Sequence, residues 1–186
     1  MNKEITSKII GLLKQDIFPD WWRSNEIEIP FFDNKKLQVI FTDFEPQHDT
    51  TFIEEADQAL THFLNLKTED RNAISELVYK NCTDFFEATG FNEETVKMFQ
   101  KIEDPQDWHL QTIKRGGLLN LQDINDVWQF VYPTEIYVTR RPDKDKDIYI
   151  QITCECDWED EHGLQLVYKQ GKKLTRISEQ DGHLFD

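Results

Sequence analysis

The chain has 186 residues, 36 of them acidic and 21 basic, for a formal charge of −15. Phosphate contacts need a basic face, so this charge argues against nucleic acid as a partner, and an anionic membrane surface is disfavoured for the same reason. Thirteen Phe, five Trp and five Tyr supply apolar surface for a core, and the length fits one domain over residues 1–186.

The longest apolar runs are only a few residues, too short to span a membrane. The start is amphipathic: Ile5, Ile9, Leu12 and Leu13 sit at helical spacing and charges interrupt any signal-like core. The three cysteines, Cys82, Cys154 and Cys156, are too few for a disulfide framework. A reducing cytoplasm with buried thiols is the expectation.

Taken in chain order, residues 1–25 read as an amphipathic helix over 3–15 and a linker carrying Pro19 and the Trp21-Trp22 pair. Residues 26–130 read as a short hairpin followed by helices. Glu26 to Ile29 alternates with period two and stops at Pro30; Asp33 to Lys36 is turn chemistry; Leu37, Val39 and Phe41 share the face of a returning strand. A helix capped by Asp49 or Thr50 runs to Leu64, with Phe52, Ala56, Ala59, Leu60 and Phe63 as its stripe. A second starts at Thr68, carries Ile74, Val78, Cys82 and Phe86, and ends at Gly90. A third opens at Asn92, and Leu121–Phe130 is a short helix or turn delivering Trp128.

Residues 131–186 read as strands. Glu135 to Arg140 is one, followed by a polar turn from Arg141. Next, Ile148, Ile150, Ile152, Cys154, Cys156 and Trp158 alternate with Tyr149, Gln151, Thr153, Glu155 and Asp157. Gly163 to Tyr168, the Gly171 turn and Leu174 to Ser178 complete an antiparallel meander. The predicted fold is therefore α+β: a mostly helical N-terminal half packed on a C-terminal antiparallel β-meander.

The densest group of chemically useful side chains is Cys154 to Gly163, with two thiols, five carboxylates and an imidazole. Cys154, Cys156, His162 and His183 have the right donors for zinc. Yet a strand puts both sulfurs on the isoleucine face, and zinc knuckles space their cysteines wider, at turns. Two buried thiols are the better account. Asp157, Glu159, Asp160 and Glu161 supply oxygen ligands for calcium but lack the central Gly of an EF-hand loop. Phosphate-binding loops and hydrolase motifs are missing from the sequence, and no cofactor is expected. Lys114-Arg115 and Arg140-Arg141 are too small for nucleic acid and offset nearby acidic charge.

The stretch from Cys154, through Cys156, Trp158, Glu161, His162, Gly163 and Leu164, to Asp181-Gly182-His183 resembles a bacterial family of uncharacterised domains. That family ends in a Cys-x-Cys-x-Trp hairpin with Glu-His-Gly-Leu and a terminal Asp-Gly-His. The resemblance covers about residues 120–186, including Val131-Tyr132-Pro133. It implies a setting of the kind seen around toxin–immunity loci. In physical terms Trp158, His162, Gly163, Asp181, Gly182 and His183 suit structural roles at a hairpin end.

Charge and resemblance together point to a protein-binding domain, an immunity protein neutralising a basic toxin, with Glu155, Asp157, Glu159, Asp160 and Glu161 as its contact residues. The alternatives are a metal-assisted enzyme around Glu161, His162 and His183, and an accessory domain with a small-molecule pocket.

Overall fold

The computed structural model describes residues 3–140 and 145–184. The first part of the polar turn expected from Arg141, residues 141–144, lies outside them. Among the described residues eight strands form one sheet in chain order. They are β1 (Glu4–Ser7), β2 (Gly11–Gln15), β3 (Trp22–Ile29), β4 (Lys35–Phe41), β5 (Val131–Arg140), β6 (Ile148–Cys156), β7 (Glu159–Lys169) and β8 (Lys173–Ser178). Neighbours pair antiparallel except β4 and β5, which run parallel, with Gln38 opposite Glu135. Between those two strands lie α1 (Phe52–Leu64), α2 (Thr68–Asn72), α3 (Ser75–Thr89), α4 (Glu93–Phe99) and α5 (Asp107–Arg115).

This overturns the expected division into a helical half and a β half. Strands span the whole chain, and the helices are an insertion at the middle of the sheet. The last four strands do run antiparallel to one another, but they are only one side of a mixed sheet.

The sharpest correction is at residues 3–15, which form the β1–β2 hairpin and not a helix. Ile5 pairs with Leu13, and Gly11 opens β2 at φ 80. A helix would have gathered Ile5, Ile9, Leu12 and Leu13 on one face. The hairpin instead buries Ile10 and Leu13 and leaves Ile9 and Leu12 at 42% and 40% exposure. The deciding contact is tertiary. Ser7 at the end of β1 is hydrogen-bonded to Asp57 of α1, whose second oxygen accepts from the Lys8 amide at 2.9 Å.

Helix elements follow the sequence more closely. α1 keeps its stripe, with Phe52, Ala56, Ala59, Leu60 and Phe63 buried. Its N-cap is Thr51, whose amide donates to the Asp49 carboxylate at 3.2 Å. The segment from Thr68 breaks into α2 and α3, and Gly90 ends α3 in the left-handed conformation. Asn92 caps α4 by accepting from Glu94 and Thr95 amides. A 3-10 turn at Ile124–Phe130 delivers Trp128 to the core.

The helices cover one face of the sheet. Leu37, Val39, Phe41, Ile136, Val138, Ile148, Ile150, Ile152, Leu164 and Leu166 join the α1 stripe and Val78, Cys82 and Phe86 of α3 in one apolar cluster. Each fully buried Val, Leu, Ile or Phe among them stabilises the fold by roughly 1.5–3 kcal/mol. The opposite face is polar. Arg23 donates to Gln38 at 3.0 Å and pairs with Glu135, which also accepts from the Tyr137 hydroxyl at 2.6 Å. Residues 179–184 fold back over this face. Buried Gln165 donates to Ser178, Asp181 and the His183 carbonyl, and Leu184 packs with Tyr149 and Val167.

Candidate functional site

The Cys154–Gly163 segment makes the tight β6–β7 turn, where Cys156 pairs with Glu159. Trp158 anchors it. Its ring is fully buried and its indole N–H donates to the Asn81 side chain of α3 at 3.0 Å. The Asp157 amide donates to the Phe130 carbonyl at 3.0 Å. These contacts fix the turn against the helical layer and push its carboxylates outward.

Two basic residues of α5 meet that turn. Lys114 Nζ lies 2.7 Å from Asp157 Oδ2, and Arg115 Nη2 lies 2.6 Å from Asp160 Oδ2. The bond to Asp157 holds the Lys114 ammonium above its ordinary pKa. The Tyr132 hydroxyl donates to the same Asp157 oxygen at 3.0 Å. Lys114-Arg115 thus offsets local acidic charge, as expected from the sequence.

Beyond these pairs opens a cleft of about 520 Å³, lined by Gln111, Tyr132, Glu155, Cys156, Asp157, Glu159, Asp160, Glu161, His162, Gly163 and Gln180. All five carboxylates predicted as contact residues line it. Glu155, Asp160 and Glu161 are exposed, and Asp157 and Glu159 are half-buried. Glu159 Oε1 accepts from the Glu161 amide at 2.9 Å and the His162 amide at 3.3 Å. The His162 ring lies on the rim, its Nδ1 3.8 Å from the same oxygen. Gly163 sits at φ 62, and a Cβ there would meet the Cys154 carbonyl oxygen at 2.4 Å.

The zinc set considered from the sequence is not assembled. Cys154 and Cys156 belong to the buried cluster beneath the helices. Burial, with the other thiol beside it, raises the Cys154 pKa; burial pushes Cys156 up to about 12. Asp181 accepts from Gln165 and from the His183 amide, both at 2.9 Å, and pairs with Arg176. Gly182 beside it has φ 74. His183 stands near Asp181, its Nδ1 3.7 Å from Oδ2, with 73% of its side chain exposed. Among the described residues the group with metal-ligating atoms within 4.8 Å of one another is Glu159, His162 and Glu179. It contains neither Glu161 nor His183, on which the metal-assisted alternative rested, and no cysteine.

Sequence reasoning missed Glu179, Gln180 and Gln111. The tail carries no periodic signal, and nothing local says that residue 179 returns to residue 162. The Gln180 amide donates to the His162 carbonyl at 3.3 Å, and its side chain donates to the Cys154 carbonyl at 2.9 Å.

The fold and its acidic cleft define a mixed α+β domain with a helical layer on one face of the sheet. Residues 9–184 match the family described as a domain of unknown function, DUF6985, and the chain belongs to that family. Comparisons with curated proteins and with solved structures gave no match. No helix among the described residues is long and apolar enough to cross a membrane.

Proposed function

We propose that this chain is a binding domain for a basic protein, and that the acidic cleft at the β6–β7 turn makes the contact. The observation that carries this reading is the convergence of Glu155, Asp157, Glu159, Asp160 and Glu161 on one cleft in a chain of net charge −15. A cationic surface is steered towards such a field, and a wrong, acidic one is repelled. The specific form we favour is a cytoplasmic bacterial immunity protein whose partner is a basic toxin domain. Thiol chemistry is a poor competitor, because all three cysteines are buried and none is joined to another.

The test is capture from the native host at low salt with the full chain as bait, beside a Glu155→Gln/Glu161→Gln variant. A near-stoichiometric basic protein, released by salt and lost with the variant, supports the reading. The screening length falls from about 30 Å at 0.01 M salt to about 8 Å at 0.15 M, so association should slow steeply over that range. A partner that binds equally fast at both salts, or equally well to the variant, would remove this function from consideration.

A further inference from the structure

We infer that Glu159, His162 and Glu179 form a site for one borderline divalent cation of the zinc class, at the mouth of the acidic cleft. The inference stands apart from the protein-binding reading and survives if no basic partner exists.

The geometry comes first. One ligating atom from each residue lies within 4.8 Å of the other two. Zinc binds imidazole nitrogen and carboxylate oxygen at about 2.0–2.2 Å in a tetrahedron, so bound donors stand roughly 3.3–3.6 Å apart. Closing that small difference asks only for side-chain rotation, and His162 and Glu179 are exposed and able to rotate. The backbones beneath them are held. Gln180 ties the tail to the His162 carbonyl, and Gln165 ties it to the sheet.

Charge supplies an independent argument. Asp157 and Asp160 have their own cations in Lys114 and Arg115. Among the described residues neither Glu159 nor Glu179 forms an ion pair with a lysine or arginine, and Glu159 is paired only with His162. Two carboxylates are thus brought together with an imidazole, inside a field already negative, with no lysine or arginine among the described residues paired to them.

The donor set chooses the ion. Calcium takes six to eight oxygens and has no use for the imidazole. One nitrogen and two carboxylates suit zinc and its neighbours cobalt and nickel. Three protein ligands leave a coordination position open for water or an incoming group. Glu159 and His162 come from the start of β7 and Glu179 from the tail, so the site exists only when the tail is docked. A cation there would stabilise the folded chain by mass action.

The test uses the full chain, stripped with EDTA and dialysed, titrated with Zn²⁺ alone by calorimetry and followed by thermal melts. Co²⁺ serves as a visible probe of low coordination number. We expect one equivalent of Zn²⁺ and a melting temperature that rises with its concentration. His162→Ala and Glu179→Gln should each weaken binding by about tenfold or more, while His183→Ala binds as the parent does. Because the two ligand substitutions are at exposed positions, their metal-free melts report that they fold. The inference is overturned if Zn²⁺ shows no saturable binding at millimolar concentration, or if both ligand variants bind as the parent does. It is also overturned if Ca²⁺ binds and Zn²⁺ does not.

Discussion

Ser7 in the first strand and Asp57 in the first helix, 50 positions apart, share a buried hydrogen bond. The Ser7 hydroxyl oxygen also accepts from the Ile9 and Ile10 amides at 3.1 and 3.0 Å, so one carboxylate organises the whole β1–β2 turn. Ser7 is 2% exposed and Asp57 7%. Replacing Asp57 by Ala leaves the hydroxyl and the Lys8 amide without their acceptor. A loss of about 2–3 kcal/mol in denaturant stability is expected, with the hairpin amides exchanging first. A loss below about 0.5 kcal/mol, the scale of an ordinary surface change, would show that the turn holds itself.

Gly171, between β7 and β8, is pressed against α1. At φ 66 it already favours glycine, and a Cβ would lie 1.9 Å from the Ala59 carbonyl oxygen. Backbone on both sides leaves little room to yield. Gly171→Ala should cost about 3 kcal/mol or more, from strain and overpacking together. Gly182→Ala provides the contrast. It has φ 74 but nothing within 4 Å of its Cβ, so it carries the strain alone. Thermal melts of the two variants should separate clearly, and equal melting temperatures would refute the close approach.

The three thiols should be inert in the native protein. Cys82 and Cys156 are pushed up to about 12 by burial, and Cys154 is fully buried. Ellman's reagent at pH 8 should label almost none of them until denaturant is added, and then all three. Rapid labelling of any one without denaturant would mean that the layer between α3 and the sheet opens readily.

Acid should weaken the β5–β6 end through Asp145. Burial opposes its ionisation, but the Lys169 ammonium at 2.6 Å and the Tyr149 hydroxyl hold its carboxyl down at about 2, against 3.8 ordinarily. A depressed carboxylate stabilises the fold fully above its unfolded pKa. That contribution fades as pH falls from about 3.8 through about 2. Asp145→Asn should therefore flatten the stability profile across this window and lower stability at pH 7. The effect is modest because the pair is partly solvated. An acid limb identical to that of the parent would show that other carboxylates carry it.

Much of this structure was legible from short-range pattern. The alternation from Ile148 to Cys156 identified β6 and its buried face, and the spacing of Phe52, Ala56, Ala59 and Phe63 identified α1. The acidic character of the β6–β7 turn and the part played by Lys114-Arg115 were also visible. The first thirteen or so residues were misread because Ile5, Ile9, Leu12 and Leu13 satisfy helical spacing, while the hairpin depends on Asp57 far down the chain. The parallel seam had no local signature, since Gln38 and Glu135 carry nothing that marks them as neighbours. The same limit hid Glu179, whose place beside His162 is set by the docked tail.

That seam has a consequence for how the molecule is made. Each antiparallel run of strands closes through short turns, which form in microseconds, whereas β4 can meet β5 only after the intervening helices have been gathered in. Joining the two runs is the non-local step and should limit the folding rate. Until it happens, β4 and β5 are open sheet edges, with Ile40 and Val138 waiting for a partner that another molecule can supply. Refolding yield should then fall with protein concentration, and helix substitutions that delay closure should lower it even where native stability is kept.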